Sequence, residues 1–213
     1  MKTPLNVNPF QPIKDFEQAL CEYTGAKYAV TTNSCTMALL LAIRYHVPQY
    51  LISKFSAPNP PASIPKRTYV SVPQSIIHAG VKVEFRDEDW LGAYEIEPYN
   101  VWDCARLFTS GMYKPGRYQC VSFHATKILS DTQGGAILHD SDCADAWFRR
   151  ARFDGRTECV PVAEDNFTML GYHCYMSPDV ATRLLHKLSV LPKHNYPLPN
   201  DNYPDLSKFE VFK

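Results

Sequence analysis

Apolar residues recur along the chain with two spacings, one helical and one strand-like. Residues 11–25 carry them at three- and four-residue steps, which predicts an amphipathic helix. Residues 27–32, KYAVTT, form a short run typical of a buried strand. Asn33 and Ser34 then suit the N-cap of a second helix over residues 36–46.

The same two patterns continue through most of the remaining chain. Further strands are predicted at residues 69–72, 81–85, 101–105, 119–123 and 135–140, and further helices at residues 73–79, 141–154 and 178–191. The proline-rich residues 48–65 and the turn-like residues 91–100 are expected to be loops. Alternating strands and helices predict an α/β domain with a mostly parallel sheet over residues 1–191, followed by an irregular proline-rich tail over residues 192–213.

Bulk composition narrows the class of protein. The chain has 213 residues and a formal net charge of zero, with no basic run that would indicate nucleic-acid binding. The longest apolar stretch, residues 37–43, is too short to span a membrane, and the amino terminus lacks the pattern of a signal peptide. The seven cysteines are odd in number and include no CxxC pair, so we expect reduced thiols in a cytoplasmic protein without a metal site.

The segment VSFHATKILSDTQGG places Lys127 directly after an apolar strand and before a glycine pair. A lysine at that point lies at the mouth of a folded core. Desolvation and neighbouring positive charge lower the pKa of a lysine there, and the neutral amine can attack a carbonyl to form a Schiff base. The alternative is a solvated lysine beside a turn, which is the ordinary state of a lysine.

Residues suited to ligand binding or catalysis lie at the ends of three of the predicted strands. They are residues 32–36, Asp103, and residues 122–127. Ligands bind at the carboxyl ends of strands in α/β sheets, so we expect these three sets to meet. The turn over residues 32–36 would also direct free backbone N–H groups at an anion, although a simple strand-to-helix junction has the same sequence signature.

Several blocks of the sequence resemble one enzyme family. In chain order they are FEQALCEYTGAKYAVTTNSCTMALLLAI, TYVSVPQSIIHAGVKVEF, VWDCA, VSFHATK followed by the glycine pair, RRARFDGR, and GYHCYMSPDVATRLLHKL. The chain thereby resembles the sugar aminotransferases of the DegT/DnrJ/StrS type, over about residues 9–191. These enzymes have the fold-type-I architecture, a three-layer sandwich, and use pyridoxal 5'-phosphate.

The resemblance implies a role for each matching position. Lys127 corresponds to the lysine that holds the cofactor as a Schiff base, and Asp103 to the carboxylate that keeps the pyridine nitrogen protonated. The other implied cofactor contacts are Cys35 and Thr36 through their N–H groups, the hydroxyls of Thr36 and Ser122, the ring of Tyr69, the small side chain of Ala105, and His173 from a partner subunit. Tyr69 is alternatively a half-buried strand tyrosine.

Two residues are candidates for contact with the sugar. His124 lies between Ser122 and Lys127, although a packed histidine is the alternative interpretation. Arg106 stands where relatives often carry His or Gln. The chain departs from the family pattern also at Cys35 and Gln133, and it lacks material between residues 85 and 101 and most of the small carboxy-terminal domain.

The function implied by the resemblance is transfer of an amino group, from glutamate, to a nucleotide-linked keto sugar. Pyridoxamine phosphate would be the intermediate cofactor form, and the enzyme would be a homodimer with shared active sites. The best substrate expectation is dTDP-4-keto-6-deoxyglucose, giving the 4-amino sugar. The alternative is a non-catalytic family member that binds a nucleotide sugar or a protein partner; a dehydratase ranks lower, because the family's dehydratases carry histidine at the position of Lys127.

Overall fold

The computed structural model describes residues 8–47, 59–200 and 202–212. Its helices are α1 (Gln11–Thr24), α2 (Cys35–His46), α3 (Ser71–His78), α4 (Asp142–Ala151) and α5 (Pro178–Ser189). Its strands are β1 (Tyr28–Thr32), β2 (Ala62–Pro65), β3 (Val83–Arg86), β4 (Tyr94–Ile96), β5 (Val101–Asp103), β6 (Tyr118–Ser122) and β7 (Gly135–His139). Short 3₁₀ turns lie at Val162–Glu164, Leu206–Lys208 and Glu210–Phe212.

Helices cover both faces of a central sheet. Along each central strand, successive side chains point to opposite faces, so Ala29 and Val121 enter one apolar core while Val30 and Cys120 enter the other. The first core is completed by α1 and α5, and the second by α2, α3 and α4. This is the predicted three-layer α/β arrangement, and the fold class is confirmed.

The ends of the helices follow local signals in the sequence. Ser34 caps α2 by accepting a hydrogen bond from the Met37 N–H at 3.3 Å, and Ser141 caps α4 in the same way. Gly25 ends α1 with φ of 83°, a left-handed conformation that glycine adopts without strain. These three ends agree with the predicted boundaries.

The larger sheet has the strand order β1-β7-β6-β5-β4. Only β5 and β6 pair in parallel in this sheet, while β1–β7, β6–β7 and β4–β5 are antiparallel. Strands β2 and β3 form a separate parallel pair around α3. The expectation of a mostly parallel sheet is therefore corrected for the described strands. The reason lies in the connections, because β4 joins β5, and β6 joins β7, without the crossover helix that commonly makes a parallel pair.

The strand directions bring the predicted site segments to one edge. Strands β1 and β6 both run antiparallel to β7, so they share a direction, and β5 is parallel to β6. Thr32 and Ser122 both pair with Gly135 at the start of β7. The carboxyl ends of β1, β5 and β6 consequently meet at one edge of the sheet, as the sequence predicted.

Three local predictions are corrected. Residues 69–72 are not a strand, because Ser71 already begins α3 and Pro73 fits the first helical turn, where its missing N–H costs nothing. Residues 62–65 form β2 inside a predicted loop, and residues 94–96 form β4, whose alternating burial is typical of a strand. The remaining predicted loop residues 48–58 lie outside the described part of the chain.

The carboxy-terminal segment is irregular apart from its two 3₁₀ turns, and it packs back on the domain. The Leu206 N–H donates to the Lys66 carbonyl at 2.8 Å, and Phe212 is buried beside Phe85. All seven cysteines lie in described ranges, and none forms a disulfide. Among the described residues, no helix has the length and apolar character needed to cross a bilayer.

Candidate active site

A cavity of about 230 Å³ opens at the sheet edge where β1, β5 and β6 end. It brings together nearly every residue that the sequence singled out. The predicted residues in its wall are Cys35, Thr36, Tyr69, Asp103, Ala105, Arg106, Ser122, His124 and Lys127. Their convergence from four separate segments of the chain defines one candidate site.

Lys127 lies in the turn that follows β6, where its N–H donates to the His124 carbonyl at 2.9 Å. Its side chain is half-buried and reaches the cavity. Burial raises the pKa of both Asp103 and the half-buried Cys35, and the positive charge of Lys127 partly opposes that rise. The amine and the carboxylate line one cavity, and the charge of Lys127 favours the ionised form of Asp103.

Asp103 ends β5 and is only 5 % exposed. Its Oδ1 accepts a hydrogen bond from the Ala105 N–H at 2.9 Å, and its Oδ2 accepts one from the Tyr94 hydroxyl at 3.0 Å. Burial raises the pKa of Asp103 above its usual range, while the two hydrogen bonds and Lys127 pull the pKa down. The result is a fixed carboxyl group whose charge depends on its donors.

Hydroxyl groups and a helix start form the other end of the cavity. The first N–H groups of α2 have no partner within the helix, so Cys35 and Thr36 present a partial positive charge there. The Thr36 hydroxyl donates to Ser71 Oγ at 2.9 Å, and Ser71 and Ser122 also line the wall. This end of the cavity is suited to an anion such as phosphate.

A glycine allows the helix start to lie this close to the sheet. A Cβ built on Gly135 would stand 2.5 Å from the Cys35 backbone nitrogen and 2.6 Å from the Ser34 carbonyl carbon. No side chain fits at that separation, so the first residue of β7 must be glycine for the turn to keep its place. The close approach of the α2 start thus explains why the second glycine of the pair after Lys127 is needed.

Rim residues surround the mouth of the cavity. Tyr69 is 57 % exposed and lies before α3, so it is not the strand tyrosine of the alternative interpretation. His124 is exposed, with its Nδ1 at 3.2 Å from the Thr126 hydroxyl, so it is not the packed histidine either. Arg106 is buried and donates to the Tyr203 hydroxyl at 3.1 Å.

His173 is the one predicted site residue that lies outside this cavity. Its imidazole is exposed and pairs with Asp154 at 2.9 Å. The residue borders a neighbouring cavity that also contains Gln133 and Gly134. Its predicted contact with a cofactor was assigned across a subunit boundary, and it stays a prediction.

Several residues of the site were missed at the level of sequence, Ser71 among them. Thr68, Trp90 and Tyr203 line the cavity, and Tyr94 lies directly behind Asp103. The alternating burial of Tyr94 and Ile96 is a strand signal that the turn-like neighbours obscured. Trp90 and Tyr203 stack at 6.4 Å between ring centroids, a contact between distant segments that no local pattern indicates.

The side chains of the cavity fit pyridoxal phosphate. Its wall supplies an amine at Lys127 for the aldehyde, a buried carboxylate at Asp103 for the pyridine nitrogen, and hydroxyls with a helix start for the phosphate. Among the described residues, no group of three or more His, Cys, Asp or Glu side chains is placed to hold a metal ion. The chemistry of the wall therefore favours an organic, phosphate-bearing group.

Comparison with known proteins points to the same family that the sequence blocks resemble. Residues 7–101 match the DegT/DnrJ/EryC1/StrS aminotransferase family. The spore coat polysaccharide biosynthesis protein SpsC of Bacillus subtilis (strain 168) is 34 % identical over 77 residues, which are 36 % of this chain and 18 % of the relative. The resemblance found in the sequence is thus confirmed.

Two further comparisons extend along more of the chain. A UDP-4-amino-4,6-dideoxy-N-acetyl-β-L-altrosamine transaminase of Campylobacter jejuni is 24 % identical over 174 residues, covering 61 % of this chain and 44 % of the relative. The crystal structure of AtS13 from Actinomadura melliaura superposes with a TM-score of 0.71 at 17 % identity, covering 84 % of this chain and 60 % of that one. The chain thus spans less than half of the curated relatives and about three fifths of this structure, and the structural likeness shows the shared fold.

Proposed function

We propose that this protein is a pyridoxal-phosphate-dependent aminotransferase that acts on a nucleotide-linked keto sugar. The observation that carries the proposal is the placement of Lys127 and Asp103 in one cavity, with hydroxyls and a helix start at its far end. A protein that only binds a sugar has no need of a buried carboxylate within electrostatic reach of an amine.

Each side of the cavity has a separate task. When bound, pyridoxal phosphate supplies an aldehyde that reacts with amines and a ring that withdraws electrons from the carbon next to the amine. Lys127 Nζ is the amine that would hold the aldehyde carbon and later move a proton between carbon atoms as general acid and base. Asp103, as a carboxylate, would keep a proton on the ring nitrogen.

The remaining wall residues would bind and orient. Thr36, Ser71 and Ser122, together with the start of α2, would hold the phosphate. The small side chain of Ala105 leaves room for a flat ring, and the aromatic ring of Tyr69 lies at the rim to cover it. Arg106 and His124 face the same mouth and are the candidates for contact with the sugar.

We infer the substrate class from the family resemblance, and its finer identity is our best inference. Glutamate would donate the amino group, and dTDP-4-keto-6-deoxyglucose would receive it to give the 4-amino-4,6-dideoxy sugar. The Campylobacter relative is named for a UDP-linked amino sugar, so a UDP-linked acceptor is the natural comparison. The working form would be a homodimer in which His173 reaches the partner's cofactor phosphate.

The test is to incubate the purified protein with pyridoxal phosphate, glutamate and a panel of dTDP- and UDP-linked keto sugars. Mass spectrometry would detect the aminated sugar and 2-oxoglutarate. We expect product with the unchanged protein and with Lys82→Ala, which alters an exposed lysine outside the cavity. Lys127→Ala should give none.

Two outcomes would contradict the proposal in different ways. Bound cofactor without turnover of any donor or sugar would favour the non-catalytic binding protein. Equal product from Lys127→Ala and Lys82→Ala would show that the amine of Lys127 is not required, and the assignment of the site would be wrong.

A further inference from the structure

Asp103 has a hydrogen-bonding partner behind the cavity that the family resemblance did not indicate. Tyr94 in β4 stands directly opposite Asp103 in the antiparallel β4–β5 pair. Its hydroxyl donates to Asp103 Oδ2 at 3.0 Å, and Thr68 Oγ1 lies 2.5 Å from the same hydroxyl. All three side chains are buried, so water does not substitute for these contacts.

The direction of the chain of hydrogen bonds is fixed by the number of protons. An ionised Asp103 can only accept, so Tyr94 gives its one proton to Asp103, and Thr68 then donates to the Tyr94 oxygen. Burial, followed by the nearby charge of Asp103, raises the pKa of Tyr94 well above its ordinary value. Tyr94 therefore keeps its proton at neutral pH and stays a donor there.

We propose that Tyr94, supported by Thr68, is a positioning residue that holds Asp103 in its ionised form and in a fixed orientation at the cavity wall. Tyr94 does not line the cavity: its ring packs against Trp90, and its hydroxyl reaches the cavity wall through Asp103 and Thr68. The consequence for catalysis rests on the proposed function, in which the ionised carboxylate keeps the ring nitrogen protonated. The effect on Asp103 itself does not depend on that function.

Whether Asp103 is ionised depends on a few groups, which come from the elements packed around it. Burial disfavours the ionised form, and the Ala105 N–H, the Tyr94 hydroxyl and the Lys127 charge favour it. The titratable groups that face Asp103 are Cys35 on α2, Tyr94 on β4, Cys104 after β5, Cys120 on β6 and Lys127 in the following turn. Burial raises the pKa of all three thiols, so they stay neutral and do not replace Tyr94 as the source of stabilisation.

The direct test is the pKa of Asp103 in the cofactor-free protein, measured by carbon-13 NMR of the aspartate carboxyls, with Asp103→Asn to assign the signal. Tyr94→Phe removes the donor without changing the ring, so the pKa of Asp103 should rise. Tyr99→Phe is the matched control, because Tyr99 is also buried and its hydroxyl donates to the Pro60 carbonyl at 2.6 Å. It should leave the pKa of Asp103 unchanged.

A second variant and a second readout complete the test. Thr68→Val should raise the pKa of Asp103 by less than Tyr94→Phe does, since it weakens the donor rather than removing it. Affinity for pyridoxal phosphate should fall about tenfold in Tyr94→Phe, the effect of one hydrogen bond to a charged group. As the pH is lowered, Tyr94→Phe should lose its binding of pyridoxal phosphate at a higher pH than the unchanged protein does.

The possible results separate the two proposals. An unchanged pKa of Asp103 in both Tyr94→Phe and Thr68→Val overturns the positioning role, and if Tyr94→Phe fails to fold, Thr68→Val alone decides it. A raised pKa together with no binding of pyridoxal phosphate by the unchanged protein overturns the proposed function and leaves the hydrogen-bond chain in place.

Discussion

At the scale of single residues, Asp103 is a charged group in surroundings that oppose its charge. Burial raises its pKa, and the Ala105 N–H, the Tyr94 hydroxyl and Lys127 only partly compensate. A carboxyl group whose pKa is higher in the folded than in the unfolded state weakens folding at neutral pH. Such a group is kept where its charge has a use, which is consistent with a role at the cavity.

This cost predicts that Asp103→Asn stabilises the cofactor-free protein at neutral pH. In the unchanged protein, the folded state holds the Asp103 proton more tightly, so stability falls as the pH rises from the ordinary value of 3.8 through the raised pKa. Asparagine carries no charge; its Oδ1 can still accept from the Ala105 N–H, and its Nδ2 can donate to the Tyr94 hydroxyl, which then turns its own proton toward Thr68 Oγ1. Urea unfolding at pH 7 should show a higher midpoint for Asp103→Asn, and the gain should shrink as the pH approaches 4.

The control is Asp89→Asn, which changes an exposed carboxyl group in the loop before β4. It should leave the midpoint nearly unchanged at both pH values. A lower midpoint for Asp103→Asn at pH 7 would contradict the account, because it would mean that the buried charge stabilises the fold.

At the scale of elements, β1 is an edge strand of its sheet, and a buried ion network joins it to α1 and to the end of α4. Glu17 on α1 accepts hydrogen bonds from the Thr31 N–H and hydroxyl, both at 2.8 Å. Arg149 and Arg152 on either side of the α4 end bind the same carboxylate, and Arg152 also donates to the Thr31 carbonyl at 2.8 Å. Glu17 thereby ties α1, β1 and the α4 end together just before the turn that begins α2.

Glu17→Gln is therefore predicted to destabilise the fold by about 3 kcal/mol at pH 7, because it removes the buried charge shared by the two arginines and leaves Arg152 with Glu158 and Arg149 with Asp145 as their remaining charge partners. Arg152 is only 1 % exposed, so water cannot compensate. The arginines and the Thr31 N–H outweigh burial and lower the pKa of Glu17, so its contribution is present above 4.5 and is lost as the pH falls below that value. The difference between the two proteins in urea unfolding should narrow in that acidic range.

Glu22→Gln on the same helix is the matched control, since Glu22 is exposed and accepts only from Gln18 at 2.9 Å in the described contacts. It should change the free energy of unfolding by less than about 0.5 kcal/mol. Equal losses in the two variants would mean that the network around Glu17 contributes nothing specific.

The sequence predicts elements well where their signals are local, and poorly where their partners are distant. Ser34 and Gly25 mark helix ends through their own backbone preferences, and both were predicted. Lys127 and Asp103 follow buried strands, so their position at the sheet edge was also predictable. Tyr94 was missed, because its importance comes from the register that places it opposite Asp103.

At the scale of the whole molecule, the carboxy-terminal segment passes along the mouth of the cavity. The Leu198 N–H donates to the Arg106 carbonyl at 2.9 Å, and the Tyr203 ring stacks on Trp90. Tyr203 contributes directly to the cavity wall. Proline-rich sequence predicts irregular backbone but not the surface on which it packs, so this contact was not predictable.

Tyr203→Ala is predicted to open the mouth and to raise the rate at which pyridoxal phosphate binds, measured by stopped-flow absorbance. Tyr196→Ala is the control, because Tyr196 lies in the same segment but is 80 % exposed and outside the cavity wall. We expect a faster rate for Tyr203→Ala only. Identical rates in both variants would show that the segment does not limit entry.

The central claim is that Lys127 is the amine that holds pyridoxal phosphate, and covalent trapping tests it most directly. The protein is mixed with pyridoxal phosphate, reduced with sodium borohydride, digested and analysed by mass spectrometry. We predict one phosphopyridoxyl group on the peptide that contains Lys127. The same protein treated without borohydride should carry no such group on that peptide. Modification of other lysines with Lys127 left unmodified would contradict the account.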